Sequence, residues 1–471
     1  MLKVKVIGHE NFYGLTDVLR LFWGGLSENR EAGYITCQEG PDMVIISEAR
    51  DGEVFTYQEG TKPVKGVLEG ALPVNREVKR SLYVFLTKLT GKTFPWGSLT
   101  GIRPTLVAVE EDYNPEALSS KYCVREDKAK LACETAFREG EILKKIPEDT
   151  LGVYVGVPFC PTRCEYCSFI SQDIVKHMDR LPLYAQALEK EIKLVAPGMK
   201  KPLNSVYMGG GTPTVFDNKE FAQVIKAIRE NLPIDANTEF TVEAGRPDTL
   251  NEYKLDVMAD AGIERICINP QTMKDETLSR LGRAHTVQNI IDMYELARKK
   301  GFTNINMDLI AGLKYEVPED YLNSLNKVIQ LEPDNITVHT LYKKRRANMS
   351  REDVLDVEGT RIGTDGAVAR GYGILAEHGY QPYYMYRQKD TGHGLENTGF
   401  AKAGKECYYN VAMMTDKRSV LSFGAGGVTK RIFDGGRLER CPCIKDAMGY
   451  IRSVEEMAQR KIAFFEGSEF L

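Results

Sequence analysis

From Leu151 onward the chain alternates short apolar segments with amphipathic ones, and this rhythm limits the possible folds more than any other feature. The apolar segments are "LGVYVGV", "NSVYMG", "TEFTVEA", "ERICIN", "NINMDLI" and "NITVHT". Between them lie segments such as "YAQALEKEIKLV", "NKEFAQVIKAIRENL", "LNEYKLDVMADAG" and "NIIDMYELARKKG", with apolar residues at helical spacing. Strands alternating with helices build βαβ units and a parallel sheet. Six such units fit a partial (β/α) barrel. A doubly wound sheet is the alternative.

The barrel reading carries a further expectation, because chemistry in such folds gathers at the carboxyl ends of the strands. The unusual residues fall there. The first strand runs into Cys160, Cys164 and Cys167, and the second into Gly209, Gly210, Gly211 and Thr212. The third ends at Glu243, the fourth near Asn269 and Gln271, the fifth at Asp308 and the sixth at His339 to Tyr342. One polar strand end means little. Six in succession point to a site.

The flanks read differently. Residues 1–148 look like a mixed α/β domain, with "LKVKVI" and "DMVIIS" as strands and "NREVKRSLYVFLTKLTGK" as a helix. "LTGIRPT" (Leu99 to Thr105) reads as a loop. Residues 149–345 would form the barrel. Residues 346–471 read as a smaller α+β domain that contacts substrate or covers the barrel mouth. The expected fold class is therefore α/β, a partial (β/α)6 barrel between an N-terminal α/β and a C-terminal α+β domain.

Composition narrows the function. The chain has 471 residues, 42% hydrophobic and 27% charged, with a net charge of -4. That is ordinary for a globular protein, and no global field recruits nucleic acid. The first 150 residues lack a basic patch with interleaved aromatics, which argues against an RNA-binding module. The start has no apolar leader and no stretch is long enough to span a bilayer, so the expectation is a cytoplasmic protein without a membrane partner. In that compartment the ten cysteines serve metals, catalysis or simple packing.

Three of them sit within eight residues, in "CPTRCEYC". A structural zinc site needs a fourth ligand, and no neighbouring Cys or His has the usual paired spacing, although His177 follows ten residues later. An electron-transfer cubane takes four cysteines. Three would leave one iron open. From spacing alone a cluster, a zinc site and packed or redox thiols all stand.

The triad with Tyr166 before its third cysteine resembles the radical SAM family. "YVGVPFCPTRCEYCSF", "YMGGGTPT", "DLIAGL" and the tail "GFAKAG…YYN…FGAG" are similar to the oxygen-independent coproporphyrinogen III oxidase (HemN-like) family. "EAGRPDT", "YYMYRQK" and "LTGIRPT" resemble its HemZ branch. The resemblance implies that Cys160, Cys164 and Cys167 hold a [4Fe-4S] cluster whose open iron takes the amino and carboxylate groups of S-adenosylmethionine. Reductive cleavage then gives methionine and a 5'-deoxyadenosyl radical that abstracts hydrogen. Tyr154 and Tyr166 match aromatic positions beside S-adenosylmethionine. Gly210, Gly211 and Thr212 match the loop receiving its amino group, and Glu243 matches an acid at its adenosyl portion. Gln271, Arg283 and Asp308 match positions for a second S-adenosylmethionine, and Tyr342 closes a further cofactor-lining stretch. Tyr154 and Glu243 are the expected catalytic residues. Bland readings stand beside these: Tyr154 as core, Arg283 as a helix-end charge, Asp308 as a cap.

The implied reaction is oxidative decarboxylation of coproporphyrinogen III to protoporphyrinogen IX. The implied partners are a tetrapyrrole and a reductant such as flavodoxin or ferredoxin. Two departures keep alternatives open. Phe169 stands where the oxidases carry a further cysteine, as in haem methyltransferase or haem-degrading relatives and in haem-binding chaperones. In "CYYN", Tyr409 stands where the chaperones carry histidine. Arg387 and Lys389, beside Tyr383, Tyr384 and Tyr386, are the candidate partners for substrate carboxylates.

Overall fold

The computed structural model describes residues 1–65, 72–167, 172–174, 178–341, 358–388 and 394–465. The chain divides into two compact units, one of Met1–Phe137 with Met385–Glu396, the other of Arg138–Tyr384 with Asn397–Leu471.

The larger unit is organised by six parallel strands lying side by side in chain order. They are Leu151–Val157, Leu203–Gly210, Glu239–Val242, Arg265–Cys267, Asn304–Ala311 and Asn335–Thr340. Sequential order without reversal belongs to a barrel rather than a doubly wound sheet, whose order turns back at a switch point. Among the described residues the six do not close on themselves. Val420–Phe423 continues the sheet parallel to the first strand, and Glu396–Ala401 continues it antiparallel to the sixth. The barrel is therefore partial, as expected. The C-terminal segment, expected as an α+β domain, adds strands to both edges of this sheet instead of forming a sheet apart.

Each strand is buried almost throughout because both faces are covered; in Leu151–Val157 only Tyr154 is less than fully buried. The helices lay apolar stripes on the sheet, as Asn218–Asn231 does with Phe221, Val224, Ile225 and Ile228. Their starts are locally encoded. Asn251 accepts from Lys254 N at 3.0 Å, and Thr286 and Asn289 form a reciprocal capping box. The C-terminal helix Val454–Phe465 delivers Lys461 to Glu191, which also accepts from Tyr450 Oη at 2.6 Å and Gly424 N at 2.9 Å. A buried carboxylate is tolerable only with such partners.

The smaller unit has a five-stranded mixed sheet in which Leu2–Ile7 pairs parallel with Met43–Arg50 and antiparallel with Tyr34–Cys37. Helices Phe12–Phe22 and Val74–Thr90 complete its first core, around Leu15, Ile35, Ile45 and Leu82. A second core gathers Trp96, Leu118, Tyr122, Ala132 and Met385. Here buried Glu396 accepts from Trp96 Nε1 at 2.9 Å and Lys128 Nζ at 2.7 Å.

The candidate carboxylate partner Arg387 belongs to this unit and is buried. Its guanidinium donates to the carbonyls of Leu99 and, at 3.4 Å, Gly394, and lies 5.4 Å from the Trp96 ring. It is a structural tie, not a cation presented to a ligand. Lys389 lies outside the described residues. Tyr383 and Tyr384 are buried, so neither presents an open face to a pyrrole.

Candidate functional site

The cysteine loop leaves the first strand at Phe159–Cys160 and is locked to the glycine loop after the second. Gly211 N donates to Val157 O and Thr212 N to Phe159 O, both at 2.7 Å. A Cβ on Gly211 would lie 2.4 Å from Phe159 O, so only glycine permits this approach. Gly210 has φ +113, closed to other residues. Thr212 Oγ1 is 3.5 Å from Cys160 Sγ. Cys160, Cys164 and Cys167 are all partly exposed on this loop.

The other side of the loop rests on a polar network. Thr162 Oγ1 donates to Gly282 O at 2.6 Å, and Arg246 Nη1 donates to Thr162 Oγ1 at 2.8 Å. Asp248 grips Arg246 with two hydrogen bonds, at 3.0 and 2.8 Å, and lies 3.2 Å from His285 Nδ1. Burial opposes ionisation of Asp248, but His285 and Arg246 outweigh it and hold the carboxyl well below its usual range. Arg283 is buried. It donates to Tyr166 Oη at 3.0 Å and to the carbonyls of Asn269 and Gly245 at 2.8 and 3.1 Å. Tyr166 also packs on Leu281, Ile310, Leu313 and Leu341. Arg283 is thus no helix-end charge in solvent; it fixes the aromatic ring inside the triad.

Beside this loop, rings from the first two strands and the helix Tyr408–Thr415 stack in parallel. Tyr207 and Tyr409 are 4.4 Å apart at 18°, and Tyr154 lies 6.4 Å from Tyr207 and 6.1 Å from Tyr409. Tyr207 Oη donates to Glu243 Oε1 at 2.6 Å. Burial pushes the Glu243 carboxyl up to about 7, with Asp308 adding to the rise and the Tyr207 bond opposing it. Burial also raises the Tyr154 phenol. Asp308 behaves oppositely: burial disfavours its charge, but His339 Nε2 at 3.6 Å and Asn306 Nδ2 at 2.7 Å outweigh that and keep the pKa below normal. Two carboxyls, one just past the third parallel strand and one on the fifth, are thereby driven apart in acidity.

Gln271 adopts φ +67, an uncommon conformation for a side-chain-bearing residue. It is held there by Gln271 N to Asp308 O at 2.8 Å and Ile310 N to Gln271 O at 2.9 Å. Such strain collects at functional sites. The structure thus brings together Tyr154, Tyr166, Gly210, Gly211, Thr212, Glu243, Gln271, Arg283 and Asp308 around one set of strand ends. Tyr342 lies outside the described residues. Sequence reasoning passed over Tyr207, Arg246, Asp248 and Thr162. Arg246 and Asp248 had a signal, the unusual "EAGRPD"; Tyr207 had none.

The donor set can be tested against an iron–sulfur group. It consists of thiols, the ligands iron in such clusters takes. Among the described residues, no three His, Cys, Asp or Glu side chains are grouped so as to hold a single metal ion. A cubane does not require that, since each thiolate binds a different iron. A tetrahedral zinc would need all sulfurs about 2.3 Å from one point. The thiol donor set fits the cluster.

An open parallel barrel with such a loop on its first strand is the radical SAM fold. Residues 154–328 match the model of the Radical SAM superfamily. The fold is also similar to that of the coproporphyrinogen III oxidase HemN of Escherichia coli, described as a radical SAM enzyme. That likeness has a TM-score of 0.53 and 23% identity over 69% of this chain and 73% of that one. Over 412 residues the chain is 35% identical to the oxygen-independent coproporphyrinogen-III oxidase-like protein HemZ of Bacillus subtilis, covering 83% of this chain and 82% of the relative. The chain belongs to this oxidase-like family of radical SAM proteins. It is also 28% identical to the heme chaperone HemW of Haemophilus influenzae, over 66% of this chain and 77% of that one. The family implies a [4Fe-4S] cluster and S-adenosylmethionine. Among the described residues no helix is long and apolar enough to cross a membrane.

Proposed function

We propose that the protein catalyses oxidative decarboxylation of the two propionate side chains of coproporphyrinogen III that become vinyl groups in protoporphyrinogen IX. The reading rests on the relation to the oxidase-like protein HemZ across four fifths of both chains, with the triad and glycine loop intact. When bound, the cluster and S-adenosylmethionine supply a carbon radical able to take hydrogen from an unactivated position. The net change at each propionate is loss of one hydrogen atom, one CO2 and one electron, which passes to a one-electron acceptor. A reductant of the flavodoxin or ferredoxin type supplies the starting electron.

The chain's residues bind and orient. Cys160, Cys164 and Cys167 hold the cluster. The backbone at Gly210 to Thr212 accepts from the ammonium of S-adenosylmethionine, which glycine permits by close approach. Tyr154 and Tyr166 flank it. Glu243 accepts from its ribose hydroxyls with the oxygen that Tyr207 leaves available. Gln271 and Asp308, with Arg283 behind them, line the place for a second S-adenosylmethionine.

A second reading is supported by the similarity to HemW and by Phe169 just after the triad, where the oxidases carry a further cysteine: a haem chaperone, or a methyltransferase acting on haem. One anaerobic experiment separates them. Reconstituted protein receives reductant, S-adenosylmethionine and coproporphyrinogen III, and mass spectrometry follows 5'-deoxyadenosine and the porphyrin. Coupled deoxyadenosine formation and stepwise CO2 loss support decarboxylation. Deoxyadenosine without CO2 loss rejects the substrate. A methyl gain on haem, or tight haem binding without turnover, moves the function to the second reading.

A further inference from the structure

The helix Glu252–Asp260 supplies no residue to the site above, yet one side chain in its first turn reaches the loops that build it. Lys254 is buried, and its ammonium donates to Thr214 O at 2.7 Å and to Thr249 O at 2.8 Å. Buried lysines are ordinarily paired with an acid; this one bridges two backbone carbonyls. Burial pushes the ammonium down to about 8, with Asp217 opposing the fall. The helix does not need a cation here to dock, since Leu255 and Met258 are its buried apolar contacts.

The two carbonyls belong to different loops. Thr214 lies two residues beyond Thr212 on the glycine loop, where Val215 N turns back to Thr212 O at 2.9 Å. Thr249 closes "EAGRPDT", and its N and Oγ1 both donate to Arg246 O, at 3.1 and 3.0 Å. Arg246 in turn holds Thr162 of the cysteine loop. Thr214 Oγ1 and Thr249 Oγ1 are themselves 2.7 Å apart. The backbone end of the lysine is fixed as well, by Lys254 N donating to Asn251 Oδ1 at 3.0 Å. One series of hydrogen bonds therefore runs from the glycine loop through Lys254, Thr249 and Arg246 to the cysteine loop. Methionine would fill the same volume but leave both carbonyls without this donor, and a buried group deprived of its partner loses more than an exposed one.

We propose that Lys254 is a positioning residue that clamps Thr214 to Thr249 and so sets the glycine loop at the spacing from the cysteine loop that admits S-adenosylmethionine. The proposal rests on the reading in which Gly210 to Thr212 receive the ammonium of that cofactor. Full-length wild type, Lys254→Met and Thr249→Val are reconstituted anaerobically, and iron and sulfide are counted. The paramagnetic resonance signal of the reduced cluster then follows a titration with S-adenosylmethionine. Both variants should hold a near wild-type cluster. Affinity for S-adenosylmethionine should fall about tenfold in Lys254→Met, the worth of a charged hydrogen bond, and about threefold in Thr249→Val, which removes only the hydroxyl bridge. Unchanged affinity in Lys254→Met would overturn the proposal. So would a loss of cluster content and stability with unchanged affinity in the loaded fraction, the mark of a merely structural lysine. Should circular dichroism show that Lys254→Met does not fold, Thr249→Val decides, and unchanged affinity there overturns the clamp. A wild-type cluster whose signal ignores S-adenosylmethionine would overturn the cofactor reading itself, and the clamp with it.

Discussion

The six parallel strands carry buried polar groups at both ends, and the two ends are built on opposite principles. At the amino ends, Arg265 donates to Asn304 Oδ1 at 2.7 Å, to Lys405 O at 3.0 Å and to Asn335 Oδ1 at 3.2 Å. Glu239 there accepts from Tyr408 N at 2.9 Å, from Tyr409 N at 3.2 Å and from Cys407 Sγ at 3.2 Å. Burial disfavours the Arg265 charge, but its surroundings outweigh this and hold the guanidinium even more firmly protonated than usual. At the carboxyl ends, Glu243 is pushed towards neutrality, Asp308 is pulled the other way, and Gln271 sits in a left-handed conformation. One end ties its charged groups to side-chain amides and backbone; the other keeps its carboxyls in tension. Polarity at a strand end therefore does not identify a site, whereas opposed acidities and local strain do.

The contrast can be broken by mutation. The largest expected effect is at the triad. Cys164→Ala should lose the iron–sulfur absorbance after anaerobic reconstitution and with it all 5'-deoxyadenosine formation; a variant that keeps both would refute the ligand assignment. Next is the amino end, where Arg265→Met should destabilise the fold by about 3–5 kcal/mol, because Glu239 and the two asparagines lose their cation. Urea unfolding measures this, and a cost below 1 kcal/mol would erase the distinction between the ends.

Glu243→Gln should do the reverse, costing activity by about 100-fold, or 2.7 kcal/mol, with little loss of stability at neutral pH. It has a pH signature as well. Folding raises this carboxyl from an ordinary 4.5 to about 7, so the folded apoprotein binds a proton that the unfolded chain has released. Stability from this group is complete below about pH 4.5 and is lost as pH rises through about 7, by on the order of 3 kcal/mol. Unfolding curves of Glu243→Gln should lack that slope.

A smaller effect is expected at Arg246→Gln, which removes the strut under Thr162. Cluster incorporation should fall and its paramagnetic resonance signal broaden, while global stability drops by about 1–2 kcal/mol. An unchanged signal would leave the strut without consequence. Smallest is Tyr409→Phe. It keeps the ring in the stack and should shift stability by less than about 1 kcal/mol.

The strands were legible because parallel β-segments are buried on both faces and written as short apolar runs: all six expected runs, from "LGVYVGV" to "NITVHT", are strands. The triad and glycine loop were legible because their residues are contiguous. The Tyr207–Tyr409 stack was not, since its two rings meet across two hundred residues and alternation does not say which aromatic faces which. Arg387 misled because a cation among tyrosines looks the same in sequence whether it faces solvent or backbone carbonyls. The edge strands were missed because nothing local tells Glu396–Ala401 or Val420–Phe423 which sheet to join.

The pairing of Val420–Phe423 with Leu151–Val157 orders events in time. The strand that launches the cysteine loop has one edge covered early, by Leu203–Gly210, but its other neighbour is more than two hundred and fifty residues further along the chain. Translation at 5–20 residues per second places about 10–50 s between the two. Through that interval the nascent chain carries its three thiols beside an unfinished sheet edge.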